Sequence, residues 1–138
     1  MMKMTISQLH VGDKASFAKT ITEKDVGLFA EVSGDFNPVH LDESYAAQTM
    51  FKKRIAHGGL ISSLFSTVLG TQLPGEGTIY MEQDSRFIRP VYLFDTITAL
   101  VEVDEIDSIK GRVKLKTTAI NQKGEPVVVG YALVMPPR

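Results

Sequence analysis

"GGLISSLFSTVLGTQL", residues 58–73, carries Leu60, Ile61, Leu64, Phe65, Val68, Leu69 and Leu73. Their spacing is helical, and they take up so much of the circumference that the helix must be buried on most sides. Two glycines open it, and Pro74 and Gly75 end it. Beyond it the periodicity switches to two, in runs over 77–89, 96–104, 110–121 and 127–135. The clearest sets Ile97, Ala99, Val101 and Val103 against Thr96, Thr98, Glu102 and Asp104, so one face is dry and one wet. The breaks "EIDSIKG" (105–111) and "NQKGEP" (121–126) are short enough for antiparallel pairing. A sheet with a single dry face needs an apolar element to lie on it, and the 58–73 helix is the one apolar enough. The expected fold is α+β: a curled antiparallel sheet wrapped around one long buried helix.

Upstream, "DKASFAKTIT" (13–22) reads as a first strand with Ala15, Phe17 and Ile21 on one face and Lys19 as the exception. Thr22 with Asp25 three residues on signals a capped helix start. Val26, Phe29, Ala30 and Val32 then recur at helical spacing until Gly34 supplies a stop. The next segment, "GDFNPVHLD" (34–42), holds two carboxylates and a histidine around an Asn-Pro turn. Asp42 is suited to cap a short helix through Glu43, Tyr45 and Ala46, after which the chain runs irregularly to "HGG". Long irregular segments of compact domains are usually functional.

The 138 residues fit a single domain, residues 1–138, with an ordinary apolar fraction of 43%. A net charge of −1, with both signs interspersed, gives no electrostatic footprint for nucleic acid or an anionic membrane. With no cysteine, disulfides, thiolate metal sites and a cysteine nucleophile are excluded. No apolar stretch is long enough to span a bilayer, and the opening residues do not read as a signal peptide, so a cytoplasmic protein is expected. The three histidines are scattered, with no metal-ligand spacing.

The run "SGDFNPVHLDESYA" (33–46), continuing to "FKKRIAHGGL" (51–60), holds an aspartate, an Asn-Pro pair, a histidine and a later His-Gly. With "LFSTVLGTQLPG" and "FIRPV" behind it, the chain resembles the MaoC-like, (R)-specific enoyl-CoA hydratases of the hot dog fold superfamily. The resemblance covers nearly the whole chain. It implies hydration of a trans-2-enoyl thioester, which needs a base for water at C3, an acid at C2 and donors for the enolate oxygen. Asp35 and His40 are the titratable groups that the turn brings together, and they can share one water. The resemblance implies that they are the catalytic pair; which is base and which acid stays open.

For the enolate, "HGG" offers unpaired amides at a helix start, and Gly58 is the expected oxyanion donor, as the family also implies. Ser66, on the buried helix, has two available partners, the carbonyl four residues back or a carboxylate brought in by the loop; the resemblance implies support of the catalytic aspartate. An acyl tail held at Gly58 and running along the helix would meet Leu69, with Val134 as the opposite wall, and so be short. His57 is expected to orient the loop and His10 to be solvated. Lys52, Lys53, Arg54, Arg86 and Arg89 are read as solvated charges before ligands of coenzyme A. The reaction needs no cofactor or metal, the carrier is coenzyme A or an acyl carrier protein, and the resemblance implies an edge-to-edge homodimer. Two further readings remain open: the dehydratase direction on a carrier protein, and a hot dog thioesterase or acyl-CoA-binding protein.

Overall fold

The structure, a computed structural model, describes residues 2–138. The chain forms β1 (Lys14–Thr20), α1 (Glu23–Ser33), α2 (Pro38–Leu41), α3 (Glu43–Ala47), α4 (Gly58–Thr71), β2 (Ile79–Phe87), β3 (Thr96–Asp107), β4 (Arg112–Ile120) and β5 (Pro126–Met135). All five strands join one antiparallel sheet in the order β1-β3-β4-β5-β2. The two expected hairpins are β3–β4 and β4–β5. β2 instead crosses over to pair with β5, which leaves β1 and β2 as the edges.

Alternation along β3 is realised fully: Ile97, Ala99, Val101 and Val103 are each no more than 1% exposed, and their neighbours are half-buried. On α4 the buried side chains are Ile61, Leu64, Phe65, Val68 and Leu69, each stabilising the fold by about 1.5–3 kcal/mol. The helix contacts β1, β2, β3 and β4, so it touches both edge strands, and a sheet can reach both sides of a helix only by curling round it. This is the expected α+β hot dog arrangement. Burial of α4 is less complete than the apolar count suggests, because Ser63 and Ser66 stay exposed. Among the described residues no helix is long and apolar enough to cross a membrane.

Lys19, the exception on β1, is explained by an ion pair with Asp25 of α1 at 3.3 Å. Thr22 and Asp25 form the capping box that begins α1, and Gly34 ends it at φ 80°, a left-handed conformation costly for a residue with a Cβ. Val32 lies within α1 as read but off its buried side, and is 87% exposed.

Candidate active site

Gly34 turns the chain out of α1, and short side-chain bonds shape the loop between α1 and α2. The Ser33 hydroxyl accepts from the Asp35 amide at 3.1 Å, and the Asp35 carboxylate accepts from the Asn37 amide at 3.1 Å. Asn37 then caps α2, its side-chain oxygen accepting from the Val39 amide at 3.3 Å with Pro38 at the first helical position. The expected plain turn is therefore a one-turn helix. It carries His40 inward, to 8% exposure, and leaves Asp35 exposed at its start.

The irregular segment 48–57 fixes that histidine from the other side. His40 donates from Nδ1 to the Ile55 carbonyl at 2.7 Å, which leaves the lone pair on Nε2. Arg54 donates from Nε to the His40 carbonyl and pairs through Nη1 with Glu23 of α1, both at 2.8 Å. Backbone bonds from Ile55 to Val39 and from Ala56 to Val91 tie the same segment to α2 and to the stretch after β2. Burial pushes the His40 pKa below the usual imidazole value of about 6.5; the bond to Ile55 and the charge of Asp35 oppose the shift, and His57 adds to it.

His57, at the N-cap of α4, is 2% exposed. It donates from Nε2 to the Asp35 carbonyl at 3.0 Å, orienting the loop as expected. Its ring stacks on His40 with centroids 3.9 Å apart and planes 27° apart, and it packs against Phe29 on a 4.8 Å separation. Its Nδ1 is buried with no hydrogen-bond partner, which costs about 1–3 kcal/mol. Two of the three histidines scattered in sequence are thus gathered in space: one ligating atom each from Asp35, His40 and His57 lie within 4.8 Å of one another. Two of the ring nitrogens in this group, His40 Nδ1 and His57 Nε2, already bond to the Ile55 and Asp35 carbonyls.

A cleft of about 580 Å³ opens beside this pair, lined by His40, Gly58, Ile61, Phe87 and Val128, with Arg89 at its rim. Gly58 is the first residue of α4, so its amide has no carbonyl four residues back to bond, and it adds to the positive end of the helix dipole. The Phe87 ring lies against it so closely that a Cβ at Gly58 would come within 2.8 Å of a ring carbon. The structure therefore brings an imidazole with its lone pair on Nε2 and a free amide to one concave site, with the Asp35 carboxylate beside the imidazole.

Three expected site residues lie elsewhere. Ser66 makes no hydrogen bond to Asp35 within the chain: Asp35 is anchored at the N-cap of α4, and Ser66, nine residues on, is about 13 Å along the axis. Leu69 and Val134 belong to the packed core, at 1% and 0% exposure, and the cleft stops short of both. His10 is solvent-exposed, whereas the Arg54 side chain is only 10% exposed, a tie within the site in place of the solvated charge expected. Sequence reasoning missed Arg54 in that role, and it missed Ile55 altogether. Ile55 acts through its carbonyl, which every residue carries, so no residue-type signal could have found it.

Residues 8–125 match the family model described as MaoC like domain. The chain is 48% identical over 126 residues to the (R)-specific enoyl-CoA hydratase of Rhodospirillum rubrum, covering 91% of this chain and 87% of that one. It is 44% identical over 134 residues to the (R)-specific enoyl-CoA hydratase of Aeromonas caviae, covering 97% and 100%. Among solved structures it resembles unliganded R-hydratase PhaJ1 from Pseudomonas aeruginosa, with a TM-score of 0.94 and 49% identity over 99% of this chain and 87% of that one. A match of this extent, over the segment that builds the site and four of the five strands, means that the chain belongs to the MaoC-like domain family.

Proposed function

We propose that this protein is an (R)-specific enoyl-CoA hydratase, a homodimeric cytoplasmic hydro-lyase that adds water reversibly to trans-2-enoyl-CoA using no metal or cofactor. The observation that carries the reading is that His40, with its lone pair on Nε2, and Gly58 line one cleft while a carboxylate oxygen of Asp35 lies within 4.8 Å of a ring nitrogen of His40. The thioester oxygen accepts a hydrogen bond from Gly58, and a water sits between the Asp35 carboxylate and Nε2. As the water oxygen bonds to C3, Nε2 takes one of its protons and the carboxylate holds the other. Electrons move from the double bond onto the thioester oxygen, where the amide and the helix dipole stabilise the enolate. The proton on Nε2 then passes to C2. One water is consumed, and His40 ends neutral, as burial favours.

Ile61 and Val128 line the cleft's apolar interior, and Leu69 and Val134 fill the core beyond and set its depth for chains of about four to six carbons. The edge strand β2 exposes Ile79, Met81 and Phe87, at 56%, 45% and 57%. An apolar edge of this kind is suited to pairing with the same edge of a second copy, which continues the sheet. Ser66, exposed on α4, then faces that copy and supports an aspartate across the interface in place of its own. Light scattering at micromolar concentration should give twice the chain mass; a fully active monomer would rule the dimer out.

Crotonyl-CoA incubated with the protein should lose its conjugated thioester absorbance with no free thiol appearing to a thiol reagent. Thiol release matching the absorbance loss would make it a thioesterase. No reaction at all would remove the catalytic reading.

A further inference from the structure

We infer that His57 is a positioning residue for the hydration proposed above, and that it acts by holding the Asp35 main chain against the start of α4. The bonds of Asp35 show why one is needed. Its amide bonds to Ser33 and its carboxylate to Asn37, each only two residues away, so both travel with the loop. Its carbonyl bond to His57 is the one hydrogen bond among the described residues that ties Asp35 to a distant part of the chain. His40 does not share this dependence, because Ile55 and Arg54 hold its ring and its carbonyl independently.

The His57 ring is fixed in turn by its neighbours. Phe29 packs on it from α1 and the independently held His40 stacks on it at 3.9 Å, so the ring that anchors Asp35 lies directly against His40. Asp35 is thereby registered to a ring that lies against His40. Its Nδ1 remains buried and unpartnered, a defect that a residue selected for packing alone would not carry. Gly58, the oxyanion donor, comes next in the chain, so the same anchor links the water-activating groups to the enolate site.

Two substitutions separate the anchor from the ring contacts. His57→Phe keeps an aromatic ring between Phe29 and His40 and removes the donor; His57→Gln keeps an amide donor able to reach the Asp35 carbonyl and removes the ring. Misplacing a catalytic group by about 1 Å costs on the order of 100-fold. Steady-state kinetics on crotonyl-CoA should therefore show kcat down about 10- to 100-fold in His57→Phe with KM within about twofold. In His57→Gln most of the kcat should return. Equal kcat in the two folded variants, or a His57→Phe variant with the parent's kcat, would overturn the inference while leaving the hydratase reading intact. The parent's failure to hydrate crotonyl-CoA would instead overturn the reading on which the inference rests. If His57→Phe does not fold, a His57→Gln variant that has lost as much kcat as Asp35→Asn decides against the anchor.

Discussion

Replacing His40 with Asn isolates its chemistry from its structural bond. The imidazole donates from Nδ1 to the Ile55 carbonyl at 2.7 Å, and an Asn amide placed on the same Cβ can make that donation. What Asn cannot supply is the lone pair at Nε2. The structural loss is then the stack on His57, worth about 0.5–1.5 kcal/mol for an aromatic pair, and melting should fall by only a few degrees. The catalytic loss is that of a positioned general base, about 10²- to 10⁴-fold in kcat, or about 2.7–5.5 kcal/mol in activation free energy. Asp35→Asn should cost a similar factor. The double variant should lose little more than either single one, because both groups handle one water. Initial rates of absorbance loss on crotonyl-CoA, with circular dichroism melts of all four proteins, give every quantity. A folded His40→Asn variant within a few-fold of the parent, or a double variant whose loss is the product of the singles, would refute the shared-water reasoning.

Gly58→Ala places a Cβ 2.8 Å from the Phe87 ring at the oxyanion donor, so kcat/KM should fall roughly tenfold, about 1.4 kcal/mol, and adding Phe87→Ala should restore part of it; no loss would put the enolate elsewhere. Leu69→Ala removes a side chain 1% exposed and should cost about 2–5 kcal/mol in urea unfolding. It should also raise the eight-carbon to four-carbon rate ratio, with a ceiling of roughly 60-fold if about three methylenes find room; an unchanged ratio would mean that the acyl chain never approaches the core there. Folding stability should depend on pH through His40. The unfolded side chain takes up a proton near 6.5 while the buried one resists it, so the unfolded state binds more protons between the two values and stability falls as pH drops through 6.5. The urea midpoint should accordingly fall more between about pH 7.5 and 5.5 in the parent than in His40→Asn, and equal falls would contradict this.

Local signals in the sequence were strong where one residue type has one use. Thr22 and Asp25 cap α1, Gly34 ends it, and the period-two alternation of β3 appears in the structure as it reads in the sequence. Asp35 and His40 were legible because an Asn-Pro pair between them has few conformations. Tertiary choices were not legible. Nothing in the chain order says that β2 pairs with β5, since non-local pairing is decided by which edges remain open. α2 has four residues, too few for periodicity to register, so it read as a turn. On α4 the apolar count obscured a second pattern: Ser62, Ser63, Ser66 and Gly70 are small residues at helical spacing, and Ser63 and Ser66 remain exposed. The stack of His57 on His40 was likewise invisible, because it requires segments far apart in the chain to be folded together first.

The configuration of the product tests the central claim most directly. With crotonyl-CoA as substrate, the 3-hydroxybutyryl-CoA formed should be a substrate for an (R)-specific 3-hydroxyacyl-CoA dehydrogenase, and Asp35→Asn should form little of it under the same conditions. Product oxidised only by an (S)-specific dehydrogenase, or unchanged (R)-product formation by Asp35→Asn, would contradict the account.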